Sequence, residues 1–430
     1  MNKTIYGVAL NHASQQQAFA DAFHQPPYKN PPRTPVWFIK PRNTWRASGD
    51  PVVLPAGEQT FSGATVGVVI GKTARRVKEG AAHEVIAGYC LANEISLAEN
   101  DFYRPAIRAK CRDGFCPLGE LVEGQLPQDL KIVTEINGEQ RDSWSLADLT
   151  RNASGLIAAL SEFATLRPGD VILLGTPLNR VELHAGDNVT IKAQGFPSLT
   201  NTCVESAPQA LQPQGTPTFF ALGLNYADHA SELEFKAPES PLVFLKSPAT
   251  ITGNNQVSVR PDNLEYMHYE AELVVEIGKV ARNVSREQAM DYVRGYRICN
   301  DYAVRDYLEN YYRPNLRVKS RDTLTPLSEE VVAKERVPDP HNLTLRTLVN
   351  GEVKQTGTTR DMVFDIPYLI AWLSDFMTLQ PGDLIATGTP KGLADVRPGD
   401  EVVVEVEGIG RLVNRIVSES EYEENQHETH

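Results

Sequence analysis

Glu270 and Glu272 stand one residue apart in the run His268-Tyr269-Glu270-Ala271-Glu272. On a strand, residues two apart share a face, so the two carboxylates point the same way. Neighbouring carboxylates repel unless a cation lies between them or one holds a proton. An isolated Glu-x-Glu is commonly a solvated strand edge. Here the apolar run Leu273-Val274-Val275 that follows predicts an internal strand. Asp301 closes the segment Gly295-Tyr296-Arg297-Ile298-Cys299-Asn300 and offers a third carboxylate, with Arg305 four residues on. Oxygen donors without a Cys or His pair suit a hard cation, Mg²⁺, Mn²⁺ or Ca²⁺, rather than zinc. They would leave about three of six octahedral positions for water and a chelating substrate. A further candidate lies in Asn225-Tyr226-Ala227-Asp228-His229-Ala230-Ser231-Glu232. If this turn enters a helix, His229 and Glu232 share one face, and the carboxylate orients an imidazole acting as general base. Alone, such a pair is more often a surface ion pair.

The elements that must position these residues occur twice. Phe219 to Ala227 echoes Tyr6 to Ala13, and Val243-Phe244-Leu245-Lys246-Ser247 echoes Trp37-Phe38-Ile39-Lys40-Pro41. Arg317 to Asp322 echoes Arg108 to Asp113, and Gln380-Pro381-Gly382-Asp383 through Gly388-Thr389-Pro390 echoes Arg167-Pro168-Gly169-Asp170 through Gly175-Thr176-Pro177. Matches of this length in one order mark a duplicated domain rather than a solenoid. The first copy has Gly63, Thr65 and Glu94 where the second has Glu270, Glu272 and Asp301, and Ala98 for Arg305. Gln15 and Ala18 replace His229 and Glu232, so the pair and the acids are lost together. Lys319 and Lys110, like Thr389 and Thr176, survive in both copies; a strand-end structural role and a substrate-binding role both stand for them.

A chain of 430 residues suits two domains of about 200 residues, each with its own core. The expected division is a degenerate first copy over 1–205, a Pro/Gln/Gly linker over 206–217, the metal-binding copy over 218–417, and an acidic, frayed tail over 418–430. A net charge of −13 argues against nucleic-acid backbone as a partner. No apolar run reaches the roughly 20 residues of a membrane span, and the start lacks a secretory pattern. Five scattered cysteines do not form a disulfide framework, and Cys111 and Cys116 lack partners for zinc. The expectation is a soluble cytoplasmic protein. Strands are predicted at 65–70, 187–193, 271–277 and 400–406, and helices at 146–163, 285–293 and 365–377. No glycine-rich phosphate loop follows a first strand, which disfavours a dinucleotide fold. Each copy reads as a strand-dominated α+β domain.

Asn225-Tyr226-Ala227-Asp228-His229, Glu270-x-Glu272, Asn300-Asp301 with Arg305, Lys319-Ser320-Arg321-Asp322-Thr323 and Thr387-Gly388-Thr389-Pro390-Lys391-Gly392 together resemble the fumarylacetoacetate hydrolase family. The resemblance implies a mixed β-roll and a divalent cation, Mg²⁺ first, on Glu270, Glu272 and Asp301. It implies catalysis by His229, Glu232 and Lys319, and substrate binding by Arg305, Thr389 and Lys319. The tandem arrangement with one degenerate copy resembles a branch of the family that combines decarboxylase and isomerase activities in 4-hydroxyphenylacetate catabolism. That branch implies decarboxylation of 5-oxopent-3-ene-1,2,5-tricarboxylate to 2-hydroxyhepta-2,4-diene-1,7-dioate, then isomerisation to 2-oxohept-3-ene-1,7-dioate. One centre in the second half would serve both steps, with the first half as partner in a monomeric internal pseudo-dimer. Alternatives are a C–C hydrolase of the acylpyruvate or fumarylacetoacetate type, a metal-free isomerase site at Lys110 and Thr176, and a non-catalytic cation-binding scaffold.

Overall fold

The computed structural model describes residues 3–206, 215–234, 236 and 238–428. Residues 207–214 of the predicted linker and 429–430 of the tail lie outside the described residues. The chain forms two compact units, one of Met1–Thr216 with Glu309–Arg313, the other of Pro217–Leu308 with Pro314–His430. The units follow the sequence repeat except at Glu309–Arg313, a piece of the second copy that folds into unit 1.

Unit 1 is built on a seven-stranded mixed sheet. It contains β1 (Ile5–Ala9), β2 (Val36–Lys40), β3 (Ala64–Ile70), β4 (Ile86–Asn93) and, after helix α1 (Ala153–Ser161), β5 (Val171–Leu173). The order β2-β1-β5-β3-β4 continues through Cys116–Leu118 to Trp45–Ala47. The unit also holds a five-stranded sheet over Glu139–Ser145, Lys131–Ile136, Asn188–Ala193, Leu199–Val204 and Val52–Val53, and a three-stranded one over Glu182–Leu183, Thr60–Phe61 and Ser96–Leu97. Tyr311 stacks on Tyr28 at 5.0 Å within an aromatic cluster that includes Phe23, Phe102 and Tyr312.

Unit 2 repeats the plan. Its elements are β6 (Phe219–Gly223), α2 (Ala227–Glu232), β7 (Leu242–Lys246), β8 (Ala271–Ile277), β9 (Val293–Asn300), α3 (Leu316–Lys319), β10 (Thr344–Val349), β11 (Glu352–Thr358), α4 (Ile366–Phe376) and β12 (Leu384–Ala386). The main sheet runs β7-β6-β12-β8-β9 and ends at Val332–Ala333. Every residue of β8 is buried, the apolar run Leu273-Val274-Val275 and the glutamates Glu272 and Glu276 alike. Phe219, Phe244, Val274, Cys299 and Leu384 form one core cluster. A second sheet holds β10 and β11 beside Glu401–Val406 and Gly410–Ser418. Among the described residues no helix is long and apolar enough to cross a membrane.

Several motifs common to both copies have a structural explanation. The Asn11 amide donates to the carbonyls of Leu174 and Arg151 and accepts from the Arg151 amide, at 2.8, 2.9 and 3.0 Å. Asn225 does the same with Thr387, Phe364 and the Phe364 amide, at 2.8, 3.1 and 2.9 Å. Each Asn follows a leucine in left-handed backbone, Leu10 at φ 57° and Leu224 at φ 56°. A bulky residue adopts that conformation only when its surroundings impose it. In the Pro-Gly-Asp turns, Asp170 accepts from the amides of Thr4 and Arg167, and Asp383 from those of Thr218 and Gln380.

The helices depart from expectation in places. The predicted helix 146–163 is a 3₁₀ turn at Leu146–Asp148 and then α1, restarted by the Asn152 side chain accepting from the Gly155 amide. The predicted helix 285–293 is only a 3₁₀ turn at Ala289–Tyr292, because Val293 already pairs with Ile277 in the sheet. The tail, expected to fray, is helical as α5 (Glu419–Glu428). Ser418 accepts the Glu421 amide at its start, and acidic residues fill the first turn, where the helix dipole favours them.

Asn11→Ala and Asn225→Ala should each lower stability by about 1–3 kcal/mol, because each leaves buried backbone groups unpaired. Chemical denaturation of the two variants checks this, with similar losses expected from both.

Candidate active site

The register of β8 against β9 builds the centre. Ala271 lies opposite Asn300 and Glu272 opposite Cys299, so the strand ends bring Glu270 beside Asp301. The Asp301 amide donates to the Glu270 carbonyl at 2.9 Å, and the Glu270 amide to the Asn300 side chain at 2.9 Å. Glu270, Glu272 and Asp301 are buried, with one carboxylate oxygen from each lying within 4.8 Å of the others. Among the described residues this is the one such group of acids, histidines or cysteines.

Cations surround it. The Lys319 ammonium donates to Glu270 at 2.7 Å and to the Asp301 carboxylate at 3.0 Å. An Arg305 Nη donates to Glu270 at 2.7 Å. Lys246, at the end of β7, is fully buried and donates to the Asp301 carboxylate and the Lys319 carbonyl. Burial alone would push Asp301 up, but Lys246 and Lys319 hold it below the usual carboxylate range. Burial opposes the charge on Lys319 too, yet Asp301 and Glu270 raise it. Glu272 has no such clasp: burial, then Asp301 and Glu270, push it well above the ordinary value.

Glu272 accepts from the Gly388 amide at 2.9 Å through one oxygen, while its Oε1 is buried with no partner. An unpaired buried carboxylate oxygen is costly, and a hard cation held by three carboxylates would satisfy it. The donor set therefore fits a divalent ion. Buried atoms lacking a partner also include Arg305 Nε, His268 Nδ1 and Tyr226 Oη.

Helix α2 brings His229 Nδ1 to 3.3 Å from Glu232. Glu232 also accepts the Gly392 amide at 3.0 Å, and the Tyr269 hydroxyl donates to the Gly392 carbonyl at 2.6 Å. The segment Gly388-Thr389-Pro390-Lys391-Gly392 thus touches Glu272 at one end and Glu232 at the other. Gly388 has φ 98°, and a Cβ there would fall 2.9 Å from that of Asn225, so only glycine fits. Thr389 is buried and bonded to Gln355 at 2.9 Å. The structure therefore brings together Glu270, Glu272, Asp301, Lys319 and Arg305, and joins His229, Glu232 and Thr389 to them through one loop.

The corresponding region of unit 1 is a salt-bridge cluster. Glu94 pairs with Lys40 at 2.8 Å, Lys110 at 3.1 Å and Arg180 at 2.7 Å. Arg180 also donates to the Glu94 carbonyl at 2.8 Å and to Thr176 Oγ1 at 2.7 Å. A Cβ at Gly63 would lie 2.1 Å from the Glu94 carbonyl oxygen, so the backbone has closed where Glu270 stands in unit 2. Burial would raise Glu94, but Lys110, Lys40 and Arg180 hold it far below the usual range. Lys110 further pairs with Glu99 at 3.0 Å, and the Tyr312 hydroxyl donates to Glu99.

Lys246, Gln355 and Arg180 escaped the sequence reading. Lys246 had a visible signal in its echo of Lys40. Gln355 and Arg180 had none, since Asp142 and Leu393 stand at the matching places of the other copy.

The fumarylacetoacetate (FAA) hydrolase C-terminal family matches residues 4–204 and again 218–417. The 4-hydroxyphenylacetate degradation bifunctional isomerase/decarboxylase of Escherichia coli is 66% identical over 427 residues, covering 97% of this chain and 99% of its own. The enzyme of the same name from Salmonella dublin is 63% identical over 425 residues, with the same shares. The crystal structure of fumarylpyruvate hydrolase from Pseudomonas aeruginosa in complex with Mn²⁺ and pyruvate covers 50% of this chain and 95% of its own, at 29% identity and a TM-score of 0.45.

The raised Glu272 sets a pH dependence. Folded, metal-free protein holds a proton there that the unfolded chain releases above about 4.5. That stability is complete below the unfolded value and fades as pH rises toward the folded one. Asp301, held low, behaves oppositely and loses its contribution only as pH falls through its depressed value. A cation must displace the Glu272 proton, so Mg²⁺ or Mn²⁺ should raise Tm more at about pH 8 than at about pH 5.5, with proton release on binding. Calorimetry in buffers of different ionisation enthalpy measures that release; equal stabilisation at both pH values would contradict the competition.

Proposed function

The chain belongs to the fumarylacetoacetate (FAA) hydrolase C-terminal family, and we propose that it acts there as a bifunctional carboxy-lyase and C=C isomerase. Its substrate is 5-oxopent-3-ene-1,2,5-tricarboxylate, its first product 2-hydroxyhepta-2,4-diene-1,7-dioate and its final product 2-oxohept-3-ene-1,7-dioate, in 4-hydroxyphenylacetate catabolism. The observation that carries this reading is identity of 66% across 97% of the chain with a relative bearing both activities in its name.

Glu270, Glu272 and Asp301 would hold a divalent cation, which supplies Lewis-acid stabilisation of charge developing on the 2-oxo group. Mg²⁺ is our choice among hard ions, on the all-oxygen donor set. The residues around it divide the remaining work. Arg305 Nε, buried without a partner, is an unspent donor for a substrate carboxylate. Lys319 keeps its charge among carboxylates and offsets the anionic substrate. In the first step the C–C bond to the departing carboxylate breaks as CO₂ leaves. Its electron pair moves through the conjugated double bond to the 2-oxo oxygen, which takes up a proton and gives the dienol. In the second step that hydroxyl proton is removed and a proton is delivered to C5, moving the double bond to C3=C4. His229, oriented by Glu232 at 3.3 Å, is the proton carrier. Both steps pass through one dienol framework, so one centre serves both. Unit 1 offers no second metal centre, since its single acid at the corresponding place is already engaged by three cations.

Spectrophotometric assay of the tricarboxylate and of supplied dienol tests this, on wild type with Mg²⁺ or chelator and on Glu272→Gln. Chelation and the substitution should each lower both activities at least about 100-fold, near 3 kcal/mol of barrier. Ketonisation that survives Glu272→Gln at the wild-type rate would move the isomerase elsewhere and break the single-centre reading.

A further inference from the structure

We infer that Gln355 is a positioning residue that sets the Thr389 hydroxyl as a hydrogen-bond donor toward a carboxylate of the substrate. The inference rests on the proposed function for its ligand class. Gln355 lies on β11 and is only 1% exposed. Its Nε2 donates to Thr389 Oγ1 at 2.9 Å and to the Pro390 carbonyl at 2.7 Å. Its Oε1 accepts from Thr347 Oγ1 at 2.8 Å and from the Ala271 amide at 3.4 Å. The Pro390 carbonyl can only accept and the Ala271 amide can only donate, so a flipped side chain would oppose like groups on both sides. The amide orientation is therefore imposed by its neighbours. A threonine hydroxyl that accepts from an amide N–H keeps its own hydrogen for another acceptor. Ala271 lies between Glu270 and Glu272, so the same amide ties the Gly-Thr-Pro segment to the strand bearing the carboxylates.

Unit 1 supplies an independent comparison. Thr134 pairs with Asp142 across its hairpin as Thr347 pairs with Gln355, so Asp142 occupies the Gln355 position. An ionised aspartate cannot donate. There the donor to Thr176 Oγ1 is Arg180, at 2.7 Å, from a different part of the fold. Both units thus present the retained threonine with a pure donor by unrelated means.

The test uses the full-length, Mg²⁺-loaded protein carrying Thr389→Val, Gln355→Glu, Gln355→Met, and each Gln355 change combined with Thr389→Val. KM and kcat for the tricarboxylate and Kd for 2-oxoglutarate are measured on each, with thermal unfolding alongside. Thr389→Val should raise KM about tenfold or more, with kcat changed less. The Gln355 changes should do the same, and the double variants should be no worse than Thr389→Val alone. Multiplying effects, equal losses in kcat and KM, or failure of both Gln355 variants to fold would overturn the inference and return Gln355 to the core. A wild type that binds 2-oxoglutarate but leaves the tricarboxylate untouched would sink the proposed substrate instead, and the Gln355 comparison would then be read on Kd.

Discussion

Three carboxylates share a buried space in which none could stay ionised unaided. Removing an ion from water costs several kcal/mol even after relaxation, and like charges at this distance add to the cost. The architecture of unit 2 follows from that constraint. Lys246 is carried in on β7 and Lys319 on α3, and both grip Asp301. Lys319 and Arg305 divide the oxygens of Glu270 between them. Glu272 is left with one amide and one bare oxygen, which makes it the point where proton and cation compete. The sheet sets the geometry, because the β8–β9 register fixes which acid meets which.

Unit 1 shows what the same backbone does once that constraint is lifted. Its Asn11, Asp170 and left-handed Leu10 repeat the bonding of Asn225, Asp383 and Leu224, so these belong to the scaffold. One acid remains, Glu94, and a guanidinium joins the two lysines around it. The acid is held by covalently attached groups alone. Retention of Lys110 and Thr176 then needs no catalytic explanation, since each has a partner within the cluster.

The sequence exposed the triad, the dyad and the duplication because these are patterns of residue type at fixed spacing. The central strands were legible through their apolar runs. Gln355 and Arg180 were not, for a physical reason. Gln355 reaches Thr389 and Arg180 reaches Glu94 across long stretches of chain, and nothing local distinguishes a buried amide or guanidinium from a solvated one. The Ser285 to Val293 segment looked helical because its propensity is local, while the pairing of Val293 with Ile277 that ends it is not. The terminal helix was missed although Ser418 and Glu421 spell a capping pattern, because the segment lacks the apolar stripe expected of a packed helix.

Glu309–Arg313 breaks the match between the sequence repeat and the packing. Tyr311 and Tyr312 belong by sequence to the second copy, yet they complete an aromatic cluster with Phe23, Tyr28 and Phe102 of the first. A gene split at the linker would encode a first polypeptide lacking those two rings and exposing the apolar surface they cover. Unit 1 therefore borrows the five residues from Glu309 to Arg313 from the second copy, and a first copy made alone would lack part of its own core.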